Sequence, residues 1–305
     1  MSNPSEAVPA TIWIEASSEQ SMAVDGPDAK SWLNGMLSCD VKKVSTGRGV
    51  YGLALSKTGK IQTDCNVIAT SSGVVFSVAA DISLFNYFDQ HLIMEDAELE
   101  QQTDVCWIQL HGPQALKIAA AVASAHSLPW GAIDWMGKGG VALLCPTAKL
   151  PELRDSLAAE GAGALSAAEW ASLRLEYGFP KFGVDYSAKD NPHEASLDRR
   201  AVSWDKGCYI GQEVVCMQDM RGKVKRRLVS ASLEGSELPA QDTEVVDTAA
   251  NAAVGKVTSS SYSVTRECVL VMLSLRASVS RDAALEISGR RAQILWEPAT
   301  AGDSS

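Results

Sequence analysis

Positive charge is scarce in this 305-residue chain: 27 lysines and arginines face 37 aspartates and glutamates, leaving a formal net charge of −10. A surplus of this sign argues against general affinity for nucleic acid or an anionic membrane, because both need a dominant positive field. Only a local basic patch stays open. Long apolar runs are missing too. The most hydrophobic stretches, 67–80 and 269–275, are too short or too interrupted to span a hydrocarbon core of about 30 Å, and no transmembrane segment or membrane partner is expected. Met1 to Glu6 carry neither the cationic nor the apolar segment of a secretory signal, so the expected location is the cytoplasm.

The seven cysteines (39, 65, 106, 145, 208, 216 and 268) include no Cys-x-x-Cys pair of the zinc or redox kind. They read as reduced thiols, and six of them as small buried hydrophobes. The four histidines, at 91, 111, 126 and 193, lack the i, i+4 spacing of a zinc site, and no metal is expected. The eight tryptophans are spread over every segment, which suits core packing better than a stacking platform.

What is present is ample core material. With 46% hydrophobic residues the chain can bury one large core or two to three smaller ones. An alternating strand near residue 11 turns at Gly26-Pro27 into Ala29, Trp32, Leu33 and Met36 at helical spacing. Val50 to Leu55, Ile61 to Ile68 and Val74 to Val78, joined by turn residues, predict an antiparallel meander. Helical spacing returns over Asp81 to Met94, an extended run over Ala97 to Leu110, and a second helix over Gln114 to Ala125. This order, recurring on both sides of residue 100, points to α+β architecture and raises an internal duplication.

Ser166 to Tyr177 reads as a helix with Ser166 at the N-cap, Glu169 as its capping-box partner and Gly178 just past the end. Phe179 to Ser203 reads as a long ordered loop, a type that is commonly functional. After Arg221, short β-rich runs predict a small C-terminal barrel: 224–233, 243–247, 254–258, 268–273, 285–287 and 292–295.

Chemistry concentrates in Trp204 to Glu213. Gly207 and Gly211 bracket Cys208, and such glycines permit sharp turns or close approach of backbone to a ligand. Residues from Gln212 to Met220 suit a short helix, which places Cys208 near a helix N-terminus with Lys206 close by. Both features favour a thiolate. A packing corner is the competing explanation. Trp204 and Tyr209 are the aromatics placed to line a ligand.

The string Lys206-Gly207-Cys208-Tyr209-Ile210-Gly211-Gln212-Glu213 resembles the signature of the YgfZ family, folate-binding relatives of the glycine cleavage T-protein. Supporting segments follow in order: Val24 to Asp28 with Trp32 to Gly35, Gly59 to Asp64, Arg174 to Asp185, Pro192 to Leu197 and Gly255 to Ser259. The similarity runs from residue 12 to residue 296. It implies intertwined α+β folate-binding subdomains around a central pocket, with boundaries near 10–100 plus 166–220 and 101–165 within a 10–220 region, and a β-barrel over 221–305. The implied ligand is tetrahydrofolate or a one-carbon derivative. The implied role is an accessory one in assembly or repair of iron–sulfur proteins, mainly those with [4Fe–4S] clusters, with client or assembly proteins as partners. Cys208 and Lys206 match the family's functional residues.

The same resemblance places Asp64 where T-protein-like chains carry the acidic residue near the reactive part of the folate, and Glu176 where a glutamate pairs with the pterin edge. One carboxylate can accept two N–H bonds from an amino-pyrimidine edge. Tyr209, Gly211, Gln212 and Glu213 complete the binding set. Arg221 to Arg227 holds five cations in seven positions. Read as a strand, it aligns Arg221, Lys223, Lys225 and Arg227 on one face, with Arg226 turned away. Arg221 and Lys223 are then candidates for holding the glutamate tail, against a plain solvated face. Two other functions remain open: a folate-dependent aminomethyltransferase or demethylase, and a factor in tRNA modification motivated by the basic run.

Overall fold

The computed structural model describes residues 11–16, 19–79, 83–222 and 224–298. Its contacts divide into two compact units, one of Met1–Asn34, Asp40–Tyr51 and Cys65–Leu165, the other of Gly35–Cys39, Gly52–Asp64 and Ser166–Ser305. In chain order the first part comprises β1 (Ile12–Glu15), β2 (Glu19–Asp25), α1 (Ala29–Met36), β3 (Gly47–Arg48), β4 (Val50–Leu55), β5 (Ile61–Ala69), β6 (Gly73–Ala79), α2 (Phe85–Asp89), β7 (Glu98–Gln102), β8 (Val105–His111), α3 (Ala115–His126), β9 (Trp130–Ala132), β10 (Gly140–Pro146), α4 (Leu150–Ala159) and β11 (Gly163–Ala164). The chain passes between the units inside α1, β4 and β5.

One sheet runs β4-β5-β6-β2-β7, so the three expected meander strands are neighbours in sequence order; the other runs β11-β1-β8-β10-β9-β3. Helices α3 and α4 carry Ile118, Ala119, Val122, Leu153 and Leu157 at three- and four-residue spacing. These form one core with Trp13, Ile108, Leu110, Val141 and Leu143 of the second sheet. The expected helix over Asp81 to Met94 is shorter than its spacing suggests. Its first two residues lie outside the described ones, and α2 holds only Phe85–Asp89. Phe88 is fully buried and meets Phe76 edge-on at 5.0 Å, whereas Ile93 and Met94 are 81% and 92% exposed. Ile93 and Met94 have no core to face, so nothing extends the helix to Met94.

The second unit contains α5 (Ala167–Glu176), α6 (Gln212–Arg221), β12 (Arg226–Leu233), β13 (Glu244–Asp247), β14 (Ala252–Ser263), β15 (Cys268–Arg276), β16 (Leu285–Ile287), β17 (Arg290–Arg291) and β18 (Gln293–Trp296). The last seven form one curved sheet in the order β17-β16-β13-β14-β15-β12-β18. Alternate residues such as Val229, Ala231, Val269, Val271, Leu273 and Ile287 make its core. All six expected strands occur. β14 runs five residues further than expected, through the serines at 259–261, because pairing with β15 from Met272 to Cys268 holds this weakly β-prone stretch extended.

α5 starts with the expected capping box. Ser166 Oγ accepts from Glu169 N at 3.3 Å, and Glu169 Oε2 accepts from Ser166 N at 2.8 Å. Among the described residues, no helix is long and apolar enough to cross a membrane.

Candidate functional site

Residues 204–211 form a loop pinned at several points to the Gly35–Cys39 segment of the same unit. Buried Ser38 is one centre: its Oγ donates to Ala201 O at 2.6 Å and accepts from Leu53 N at 2.8 Å, while its carbonyl accepts from Ser203 N at 2.9 Å. Further on, Ile210 N donates to Gly35 O at 3.1 Å. Between these, Lys206 Nζ donates to both Leu37 O and Cys39 O at 2.7 Å and lies 5.1 Å from the Tyr209 ring centre. The Lys206 ammonium is thus committed to two carbonyls, and its clearest structural effect is to fasten the loop.

Between those anchors Asp205, Gly207 and Cys208 stand out into solvent. Of the seven cysteines, Cys208 is the exposed one; Cys39, Cys65 and Cys145 are buried, and Cys106, Cys216 and Cys268 are half-buried. Burial pushes the Cys106 thiol up to about 11 and raises Cys145 and Cys268 as well, which keeps those thiols protonated and inert. Cys208 lies four residues ahead of α6, separated from it by a turn in which Gln212 N donates to Tyr209 O at 3.2 Å.

Tyr209 points inward and is 7% exposed. Its hydroxyl is buried with no hydrogen-bond partner among the described residues, and burial raises its pKa well above the usual phenol value. Gly211 is the N-cap of α6, at φ +82°, and a side chain there would place its Cβ 2.5 Å from Ser56 O. Gln212 is half-buried and Glu213 is exposed in the first helical turn, where a carboxylate complements the helix dipole.

Asp64 is half-buried in β5, with Thr63 Oγ1 donating to its carbonyl at 3.0 Å. Glu176 ends α5, and its Oε1 accepts from Arg266 Nη2 at 2.7 Å. The Glu176 side chain is 17% exposed, against 46% for Arg266. The barrel turn between β14 and β15 therefore holds this carboxylate in place.

The basic run is not the single strand that would align its cations on one face. Arg221 is the exposed last residue of α6, Gly222 closes that helix in the left-handed region, and β12 begins only at Arg226. Lys223 lies outside the described residues. Arg227 is withdrawn from any ligand-facing role: its guanidinium donates to Ala277 O at 3.0 Å, Val279 O at 2.9 Å and Glu297 Oε1 at 3.1 Å. The helix C-cap breaks the alternation that would have put 221, 223, 225 and 227 on one face.

Two networks escaped the sequence reading because their members are distant along the chain. In the first, Asp185, whose side chain is fully buried, accepts from Arg174 Nη1 at 2.6 Å, Thr258 Oγ1 at 2.6 Å, Ser259 Oγ at 2.5 Å and Lys181 N at 2.9 Å. It joins α5, the loop after it and β14. In the second, His193, Asp198 and Asp219 bring possible ligand atoms within 4.8 Å of one another. Arg199 sits among them, 3.2 Å from Asp198 and 2.9 Å from Asp219, and supplies the positive charge a metal would otherwise bring. Burial raises the Asp198 carboxyl above its usual range, with His193 and Arg199 opposing that shift. Trp204 Nε1 donates to Asp198 O at 3.1 Å, so this cluster anchors the start of the cysteine loop.

This fold is that of the glycine cleavage T-protein, and the chain carries a GCVT-family, aminomethyltransferase-like domain. Residues 7–137 match the family described as GCVT N-terminal domain. The crystal structure of glycine cleavage system aminomethyltransferase T from Bartonella henselae matches with a TM-score of 0.76 at 17% identity, covering 94% of this chain and 85% of that one. The aminomethyltransferase of Chlorobium chlorochromatii (strain CaD3) is 30% identical over 246 residues, which is 72% of this chain and 66% of that protein. The tRNA-modifying protein YgfZ of Yersinia pestis (strain Pestoides F) is 23% identical over 232 residues, 72% of this chain and 70% of that protein. The match to the first of the aminomethyltransferase relatives spans 66% of their length.

Proposed function

We propose that this protein binds tetrahydrofolate and acts as an accessory factor for iron–sulfur proteins, mainly of the [4Fe–4S] kind, through the exposed thiol of Cys208. The observation that carries this reading is the presentation of Cys208: a solvent-facing thiol at the tip of a loop that Lys206, Ile210 and Ser203 fasten on either side. A thiol needed only for packing is buried, as Cys39, Cys65 and Cys145 are. A fixed and exposed one suits reaction with, or ligation by, a second molecule.

The donor and acceptor set fits a folate. Asp64 and Glu176 are half-buried carboxylates of the kind that accept paired N–H bonds from a pterin, and the Tyr209 hydroxyl is a buried polar atom without a hydrogen-bond partner among the described residues. Tetrahydrofolate would supply the one-carbon chemistry; the residues of this chain would orient it. Gly211, Gln212 and Glu213 support the ligand-side loop in this reading, with the exposed Arg221 available to a glutamate tail and Lys223, outside the described residues, assigned to the same role from its sequence position alone. The aminomethyltransferase names of most relatives favour a transferase as the second reading, and the YgfZ relative favours a role in tRNA modification. Cys208 separates the first from the accessory role, since methylene transfer to folate has no need of an exposed thiol.

Fluorescence titration with tetrahydrofolate tests the ligand. Saturable binding is expected, weakened about tenfold or more in Glu176→Gln, because a hydrogen bond to a charged group contributes about 1.5–3 kcal/mol. Cys208→Ala should bind as the wild type does. Absence of saturable binding by the wild-type protein would remove folate from the proposal.

A further inference from the structure

In the C-terminal sheet, Arg226 of β12 stands directly opposite Arg276 of β15, and Lys256 of β14 stands opposite Ser274 of β15. Ser274 and Arg276 are two residues apart in one strand, so all four share the face opposite to that of the core residue Leu275. With Val254 and Gly255 they line a cavity of about 190 Å³.

Like charges directly opposite one another on paired strands, with Cβ atoms roughly 4.5–5.5 Å apart, destabilise a sheet unless something lies between them. The acids nearby do not serve Arg226 and Arg276. Asp242 pairs with Lys256, Glu244 faces Lys256 across the β13–β14 pair, and Glu297 is taken by Arg227 and Arg281. Among the described residues, the guanidiniums of Arg226 and Arg276 have neither an ion pair nor a hydrogen bond, and both residues are exposed. The cavity therefore combines a lysine already neutralised on one side with two uncompensated guanidiniums on the other, in a chain whose net charge is −10.

We propose that Arg226 and Arg276 form a binding site for a phosphate dianion, free or as a monoester, with Ser274 as a further donor. Two forked guanidiniums carry two positive charges and present N–H groups from two directions, which a tetrahedral dianion with three terminal oxygens can accept together. A planar carboxylate is satisfied by one fork. The cavity holds one such group rather than a polymer, and this sets the site apart from a general nucleic-acid surface.

Calorimetric titration of the full chain with inorganic phosphate and with a nucleoside monophosphate, at matched ionic strength in chloride, tests the site. Both ligands should bind saturably. Tighter binding of the nucleotide would mark a phosphorylated small molecule as the source, and equal binding would mark free phosphate. Arg276→Gln and Arg226→Gln should each weaken binding about ten- to a hundredfold, the range expected for loss of a charged hydrogen bond. Melting curves check that each variant is folded, and either folded variant decides the matter. Affinity for the nucleotide should also rise between about pH 5 and pH 7.5, because the second proton of a phosphate monoester leaves near pH 6 while arginine does not titrate. A response equalled by chloride alone, binding unaltered in a folded variant, or preference for an oligonucleotide of phosphodiesters without a terminal phosphate would each overturn the proposal.

Discussion

Asp185→Ala is expected to cost about 3–5 kcal/mol of unfolding free energy, the range for removing one partner of a buried ion pair. The Arg174 side chain is 6% exposed and that of Asp185 is fully buried, so alanine strands a guanidinium where water does not reach. Thr258 Oγ1, Ser259 Oγ and Lys181 N lose the same acceptor. Because those donors come from β14 and from the loop after α5, the damage should spread to the attachment of that loop. Chemical denaturation of the two proteins checks the magnitude. A change below about 1 kcal/mol would show the network to be worth no more than a surface pair.

A pair of glycine substitutions in the cysteine loop should give opposite results. Gly211→Ala is expected to destabilise by about 2–4 kcal/mol, combining backbone strain with a clash. Its φ of +82° disfavours any L side chain, and the added Cβ would lie 2.5 Å from Ser56 O, a backbone atom that cannot swing aside. Gly207 differs on both counts: it is not among the glycines with positive φ, and a Cβ there would meet nothing within 4 Å. Gly207→Ala should therefore fold within about 0.5 kcal/mol of wild type, as an exposed substitution does. Its expected defect is in whatever approaches Cys208, read as impaired support of [4Fe–4S] enzymes by a stable protein. Equal melting temperatures for the two variants would contradict this division of roles.

How far these features could be read from the sequence depended on how local they are. Ser166, Glu169 and Gly178 lie within one helix and its ends, so the capping box and the stop were legible. The strands of the C-terminal sheet were legible from alternation, down to Leu285–Ile287. The bonds from Lys206 to Leu37 and Cys39 span 169 and 167 residues, and no periodicity encodes them. Arg174 is likewise 85 residues from Ser259. The misreading of the basic run had a remedy in plain view: Gly222 follows the last helical residue, the usual place for a left-handed cap, and it resets the alternation before β12. Helix α2 failed for another reason, since spacing alone does not reveal that Ile93 and Met94 have no core to meet. Cys208 was singled out by its flanking glycines, the neighbouring Lys206 and the family resemblance; its exposure is what the fold adds.

The central claim is that Cys208 acts in a step beyond capture of the folate. Its most direct test compares wild type with Cys208→Ala, measuring tetrahydrofolate affinity on the purified proteins and the activity of [4Fe–4S] enzymes in cells lacking the wild-type protein. Retained affinity with lost enzyme activity is the predicted result. Full restoration of activity by Cys208→Ala would contradict the claim.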